Sequence, residues 1–187
     1  MITKNIKFTN FVKFNTKNKN ISKKKIILKN FTKDYPLLLS LTKKYKYSYS
    51  KKIIQKLKTY PNINIIGMGG SILGAKAIYS FLNHKILKKV SFTDNLLLKR
   101  QKKILNNNLN IIISKSGETL ETICNSNLII KKNKRNRNIF ITEKKDNYLN
   151  LLAKKLKCEV FEHKNYIGGR YSVLSEVGML PAELMGL

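Results

Sequence analysis

The chain has 187 residues, 42% of them apolar, and carries a formal net charge of +28 from 38 Lys and Arg against 10 Asp and Glu. That length is enough for one α/β domain with a full core and short for two. No run reaches the ~18 apolar residues a membrane span requires, and Met1-Ile2-Thr3-Lys4 leads into a polar stretch with no apolar signal region. A cytoplasmic location and no membrane partner are therefore expected.

The charge does not by itself imply a nucleic-acid partner. Only Arg100, Arg135, Arg137 and Arg170 are arginines; the other basic residues are lysines scattered along the whole chain. A nucleic-acid surface favours the planar guanidinium fork and clusters its charge beside aromatics. Lys, Asn and Ile share A/T-rich codons, so base composition accounts for the bias. No specific nucleic-acid binding is expected, only weak non-specific association at low salt. Cys124 and Cys158 form no CxxC pair, and with His84 and His163 they show no metal-ligand spacing. Both read as buried or inert thiols, and no metal or cofactor is expected.

In chain order, residues 1–34 are polar and Lys-rich, with short apolar pieces such as Ile26-Ile27-Leu28, and read as an appended strand and loop. Leu37, Leu38, Leu41, Tyr45, Tyr49, Ile53, Ile54 and Leu57 have helical spacing, which predicts one or two helices between Pro36 and Tyr60. A βα rhythm then begins. Strands are predicted at Ile63–Ile66, Val90–Thr93, Asn110–Ile113, Asn138–Ile141 and Glu159–Phe161. Helices are predicted from Ile72 to Leu82, Leu96 to Leu105, Glu118 to Ile130 and Tyr148 to Leu156. The first of these is apolar around most of its girth and is expected to be well buried. The third is expected to pack through Leu120, Ile123, Cys124 and Leu128. Short, β-branched, largely apolar strands alternating with helices predict an α/β fold: a three-layer α/β/α sandwich around a five-stranded parallel sheet, with a short N-terminal extension.

Ligands of open α/β sheets bind at the carboxyl ends of strands. Two loops fall there. Gly67-Met68-Gly69-Gly70-Ser71 lets a backbone approach a ligand and is followed by a helix N-terminus, but it is neither a dinucleotide fingerprint nor a Walker A loop. Taken alone, it fits a structural tight turn as well. Ser114-Lys115-Ser116-Gly117-Glu118-Thr119 collects three hydroxyls and an ammonium between a strand and a helix, the donor set of a phosphate site. The competing view is a capping Ser116 and a solvated Lys115. The two loops become neighbours if the strand order reverses between strands one and three. A third segment, Ile167-Gly168-Gly169-Arg170-Tyr171-Ser172-Val173-Leu174-Ser175-Glu176-Val177-Gly178-Met179-Leu180-Pro181-Ala182, presents one of the four arginines on a Gly-Gly turn.

This last segment closely resembles the signature of the glucose-6-phosphate isomerase family, a GGR-[FY]-SVLS-x-VG-LLPA pattern. The GxGGS loop and the SK-[ST]-x-x-T-x-E-T loop, here Ser114 to Thr122, match the same family in order. The resemblance covers roughly Asn62 to Leu187. It implies a fold of the sugar isomerase (SIS) type, with residues 1–60 an extension with helices, 61–164 a sugar-phosphate-binding domain and 165–187 the signature loop leading toward a second such domain. It implies that Gly70, Ser71, Ser114, Lys115, Ser116 and Thr119 hold the substrate phosphate. Arg170 would stabilise the enediol formed as glucose 6-phosphate and fructose 6-phosphate interconvert. The family's base Glu, ring-opening His and C-terminal Lys lie beyond the signature, so the chain is expected to be an N-terminal fragment, inactive alone, of a family that is usually homodimeric. His84, His163 and Glu176 are not at matching positions, and Glu176 is expected at the surface. A non-catalytic sugar-phosphate-binding SIS module is the alternative.

Overall fold

The computed structural model describes residues 24–27, 30–31, 35–97, 107–130 and 136–187. It divides into two compact units, Met1–Tyr35 and Pro36–Leu187. In the first, residues 24–27 and 30–31 are helical, whereas a strand and loop are expected for residues 1–34. The Phe31 and Tyr35 rings stack there with centroids 5.1 Å apart.

The second unit opens with a 3-10 helix, Pro36–Leu41. Helix α1, Lys51–Leu57, follows, started by Ser50, whose side chain accepts the Ile53 N–H. Then come β1 (Asn62–Gly67), α2 (Gly70–Leu82), β2 (Lys89–Thr93), β3 (Asn108–Ile113), α3 (Leu120–Ile129), β4 (Arg137–Thr142), α4 (Tyr148–Leu156), β5 (Glu159–Glu162) and α5 (Glu176–Met185). Of the helix expected from Leu96 to Leu105, Leu96 and Leu97 are not helical and the rest lies outside the described residues.

All five strands form one parallel sheet in the order β2-β1-β3-β4-β5. Strand side chains alternate between its faces. Ile63, Ile65, Ile111, Ile113, Ile139, Ile141 and Phe161 pack in one cluster with Ile54 and Leu57 of α1, Ile72 and Ala75 of α2, and Val177, Leu180 and Leu184 of α5. Ile66, Ile112 and Phe140 pack in a second with Ile129 of α3 and Leu149 and Ala153 of α4. The result is the expected three-layer sandwich. The second face also carries a polar row. Asn108 donates to Asn110 and Asn110 to Asn138, at 2.6 and 2.7 Å, while Asn64 accepts from Ser91 and Thr93. Each of these amides thus finds a side-chain partner, Asn108 within its own strand and Asn64, Asn110 and Asn138 across the strands.

Three expectations of burial are corrected. Helix α2 leaves Leu73 59% and Phe81 81% exposed; Ile72, Ala75 and the half-buried Tyr79 pack on the core, because a helix on an outer layer is covered on one side. Helix α3 packs Ile123 against the second cluster as expected, but its buried residues are Thr122, Asn125, Ser126 and Ile129, and Leu120 is exposed. Its polar stripe turns inward because Asn125 bonds the backbone of Asn95 and Leu97, and Ser126 bonds the Thr122 carbonyl. Glu176 is wholly buried. Its carboxylate accepts from the Tyr45 hydroxyl at 2.5 Å and the Ser48 N–H at 2.8 Å, in the first turn of α5, where the helix dipole favours an anion. Both thiols are free and half-buried.

Candidate functional site

The sheet order reverses between β1 and β3: β2 lies to one side of β1, and β3, β4 and β5 follow on the other. Gly67 at the end of β1 pairs with Ile113 at the end of β3, so the two loops expected to form the site start side by side. This is the switch point at which open α/β sheets bind ligands.

The loop after β3 is internally braced. The Ser114 hydroxyl lies 2.9 Å from that of Thr119 and accepts the Gly117 N–H at 3.2 Å. The Ser116 hydroxyl accepts the Glu118 N–H at 3.2 Å. Thr119, not Ser116, is the cap residue of α3, and its side chain makes no capping hydrogen bond. Gly117 turns the chain at φ +73°, and a Cβ there would stand 2.2 Å from the Asn147 side chain. The side chain of Asn147 also caps α4, so the loop is pressed against the start of that helix.

The segment bearing Arg170 reaches the same place. Gly169–Tyr171 form a 3-10 turn, closed by the Ser172 hydroxyl donating to the Gly169 carbonyl at 2.6 Å. It rests on the N-terminus of α2: a Cβ on Gly70 would lie 2.4 Å from the Gly169 carbonyl carbon. Only a residue without a side chain permits that approach.

These segments enclose a pocket of about 480 Å³ lined by Met68, Gly70, Ser71, Lys115, Ser116, Thr119, Glu143, Lys145, Gly169 and Arg170. Six of the seven residues singled out from the sequence, Gly70, Ser71, Lys115, Ser116, Thr119 and Arg170, line it together. The seventh, Ser114, is 1% exposed and lies beneath, holding the loop's shape. Lys115 is not simply solvated. Its ammonium donates to the Asn165 carbonyl at 2.8 Å and lies 3.4 Å from the Glu143 carboxylate, tying the loop after β3 to the segment before Arg170.

Glu143 and Lys145 were not anticipated. They follow β4, whose carboxyl end opens onto the same edge, but no glycine or hydroxyl cluster marks that turn. Lys145 lies 3.0 Å from Glu143. Burial pushes the Glu143 carboxyl up, but Lys145 and then Lys115 outweigh it and hold it below the ordinary carboxylate value. Behind the pocket, His163 is 1% exposed, with Nδ1 3.1 Å from the Lys164 carbonyl and Nε2 without a partner among the described residues. Burial pushes its pKa down. Among the described residues there is no group of His, Cys, Asp and Glu able to hold a metal ion. The arrangement offers hydroxyls, three cations and one restrained carboxylate, a donor-rich lining of net positive charge.

Similarity to known proteins agrees with this geometry. The solved structure of a hypothetical protein from Thermus thermophilus superimposes with a TM-score of 0.63 at 20% identity, over 88% of this chain and 45% of that one. The sugar isomerase domain of an RpiR transcription factor from Sphaerobacter thermophilus does so with a TM-score of 0.54 at 13% identity, over 87% and 88%. Both likenesses concern the fold. A glucose-6-phosphate isomerase from Methanocaldococcus jannaschii is 36% identical over 142 residues, 71% of this chain and 35% of that protein. The chain thus spans about a third of the length of such relatives. The phosphoglucose isomerase family model matches residues 49–186, which takes in α1, every strand, all three pocket-forming segments and α5, and the chain belongs to that family.

Proposed function

We propose that the pocket holds the phosphate of a hexose 6-phosphate, and that the chain is the phosphate-binding, N-terminal portion of an aldose–ketose isomerase interconverting glucose 6-phosphate and fructose 6-phosphate. The observation that carries this reading is the convergence of Ser71, Ser116 and Thr119 hydroxyls with Lys115 and Arg170 on one pocket at the switch point. Hydroxyls and cations aimed at one point suit a phosphate dianion, and the volume admits a hexose. Arg170, exposed at the rim, is the group to meet negative charge developing on the sugar's reacting carbons.

Proton transfer between C1 and C2 needs a base whose pKa lies near the working pH. Glu143 is the carboxylate among the pocket residues, and its lysine partners make it a weaker base than a free glutamate. The 187 residues therefore bind hexose 6-phosphates without isomerising them. Whole-length function would include the homodimer usual for the family.

Titration calorimetry tests this. Glucose 6-phosphate binds and glucose does not. Lys115→Met weakens the phosphate ester by about tenfold or more, the effect of removing one charged hydrogen-bond donor. Equal affinity for sugar and sugar phosphate sinks the assignment. Turnover of glucose 6-phosphate by the purified chain sinks the claim of inactivity.

A further inference from the structure

A carboxylate in an anion pocket is unexpected on electrostatic grounds, and Glu143 is fixed there by its surroundings. Its N–H donates to the Lys115 carbonyl at 3.1 Å. Its own carbonyl accepts from Asn147 Nδ2 at 3.3 Å and Asn150 Nδ2 at 2.9 Å. The side chain is 14% exposed and lies between Lys115 Nζ at 3.4 Å and Lys145 Nζ at 3.0 Å. His163 also feels its charge, and burial holds that imidazole's pKa down.

We propose that Glu143 is an affinity-setting residue of the site, an internal anion that competes with the ligand for the ammonium groups of Lys115 and Lys145. This rests on the anion-binding reading above. With Glu143 charged, the pocket's three cations leave a net charge near +2, which a phosphate ester dianion balances. The ligand must draw the lysines partly away from a partner already in place, so capture is tempered and release is kept open in a chain of net charge +28. Affinity limited in this way suits a site that must exchange substrate and product.

The repulsion that Glu143 exerts scales with ligand charge, and this separates competition from mere support. A phosphate ester is a dianion at pH 7.5, its second pKa being about 6; the isosteric sulfate ester is a monoanion. The experiment is calorimetric titration of the 187-residue chain and its Glu143→Gln and Glu143→Asp variants, at pH 7.5 and fixed low salt. The probes are glucose 6-phosphate, inorganic phosphate and glucose 6-sulfate. Glu143→Gln is expected to bind glucose 6-phosphate about tenfold tighter and glucose 6-sulfate about threefold tighter, half the gain on a logarithmic scale. Inorganic phosphate follows the dianion, and Glu143→Asp returns toward the parent values.

An unchanged or weaker affinity in Glu143→Gln, or equal changes for both esters, overturns the inference while leaving the site assignment intact. If the parent chain binds neither phosphate nor phosphate ester, the site assignment fails and this inference with it. Carboxyl carbon NMR of the parent chain gives a reading independent of any variant. The Glu143 titration midpoint moves up when inorganic phosphate is added, because the ligand takes its lysines; a stationary midpoint under saturating phosphate overturns the inference too.

Discussion

At the scale of single residues, the site depends on a few positions where one side chain, or the lack of one, decides the local path. Gly117 is the clearest. Its φ of +73° and the Asn147 side chain 2.2 Å from any Cβ leave no room for alanine. Gly117→Ala is expected to cost roughly 1–3 kcal/mol, the range for a residue forced into a sparsely populated conformation, and to weaken phosphate binding, because Ser116 and Thr119 flank the displaced turn. Urea unfolding and a phosphate titration of the same variant check both effects. The glycine is plain in the sequence, but its partner Asn147 is 30 residues away and could not be read from it. Glu176 teaches the complementary lesson. Nothing in the string distinguishes a buried glutamate from a surface one; the Tyr45 hydroxyl and Ser48 N–H that make burial tolerable come from a segment more than a hundred residues earlier.

At the scale of elements, the strands were legible and the helix faces only partly so. A run such as Ile111–Ile113 is apolar on both faces, which is what a parallel sheet covered on both sides demands. Helix α3 could not be oriented this way, since its buried stripe of Thr122, Asn125 and Ser126 is chosen by hydrogen bonds to the Asn95–Leu97 segment. The end of β5 carries a consequence for pH. His163, whose backbone N–H donates to the Thr142 carbonyl at 2.8 Å, is buried with its pKa lowered, facing Lys115, Glu143 and Glu176. A histidine kept neutral in the folded state takes up its proton more readily when unfolded, so its contribution is full above the ordinary pKa of about 6.5 and is lost as pH falls below it. Stability to urea is therefore expected to decline as pH drops from 7 toward 5. A His163→Leu variant should have a flatter profile over that interval; an identical slope would remove His163 as the cause.

At the scale of the whole molecule, the dominant feature is the charge of +28. Five ion pairs among the described residues, including Lys76–Asp94 and the Arg137–Glu159 pair across β4 and β5, engage only a few of the lysines. A positive charge of that size attracts any polyanion without recognising it. Binding to duplex DNA is expected at about 20 mM salt and should be lost by about 150 mM, because affinity of this kind falls steeply as counterions are added. A filter-binding series across salt, with and without glucose 6-phosphate, measures this; tight binding that survives physiological salt would instead mark a dedicated nucleic-acid surface. In the pocket, two of the lysines, Lys115 and Lys145, are instead paired with Glu143.

Local chemistry determined much of this protein. Strand runs, glycine turns and the clustered hydroxyls of Ser114 to Thr119 are short-range patterns, and each marks its own place in the chain. The parallel sheet and the two loops at its carboxyl edge follow from them. Other features depended on residues that are distant in sequence and close in space. The order β2-β1-β3-β4-β5 brought the loops together, and the approach of Gly169 to Gly70 set Arg170 at the rim. The end of β4 supplied the carboxylate between two lysines. Burial, ion pairing and the orientation of a helix are properties of neighbours, and a sequence specifies neighbours only through the fold it forms.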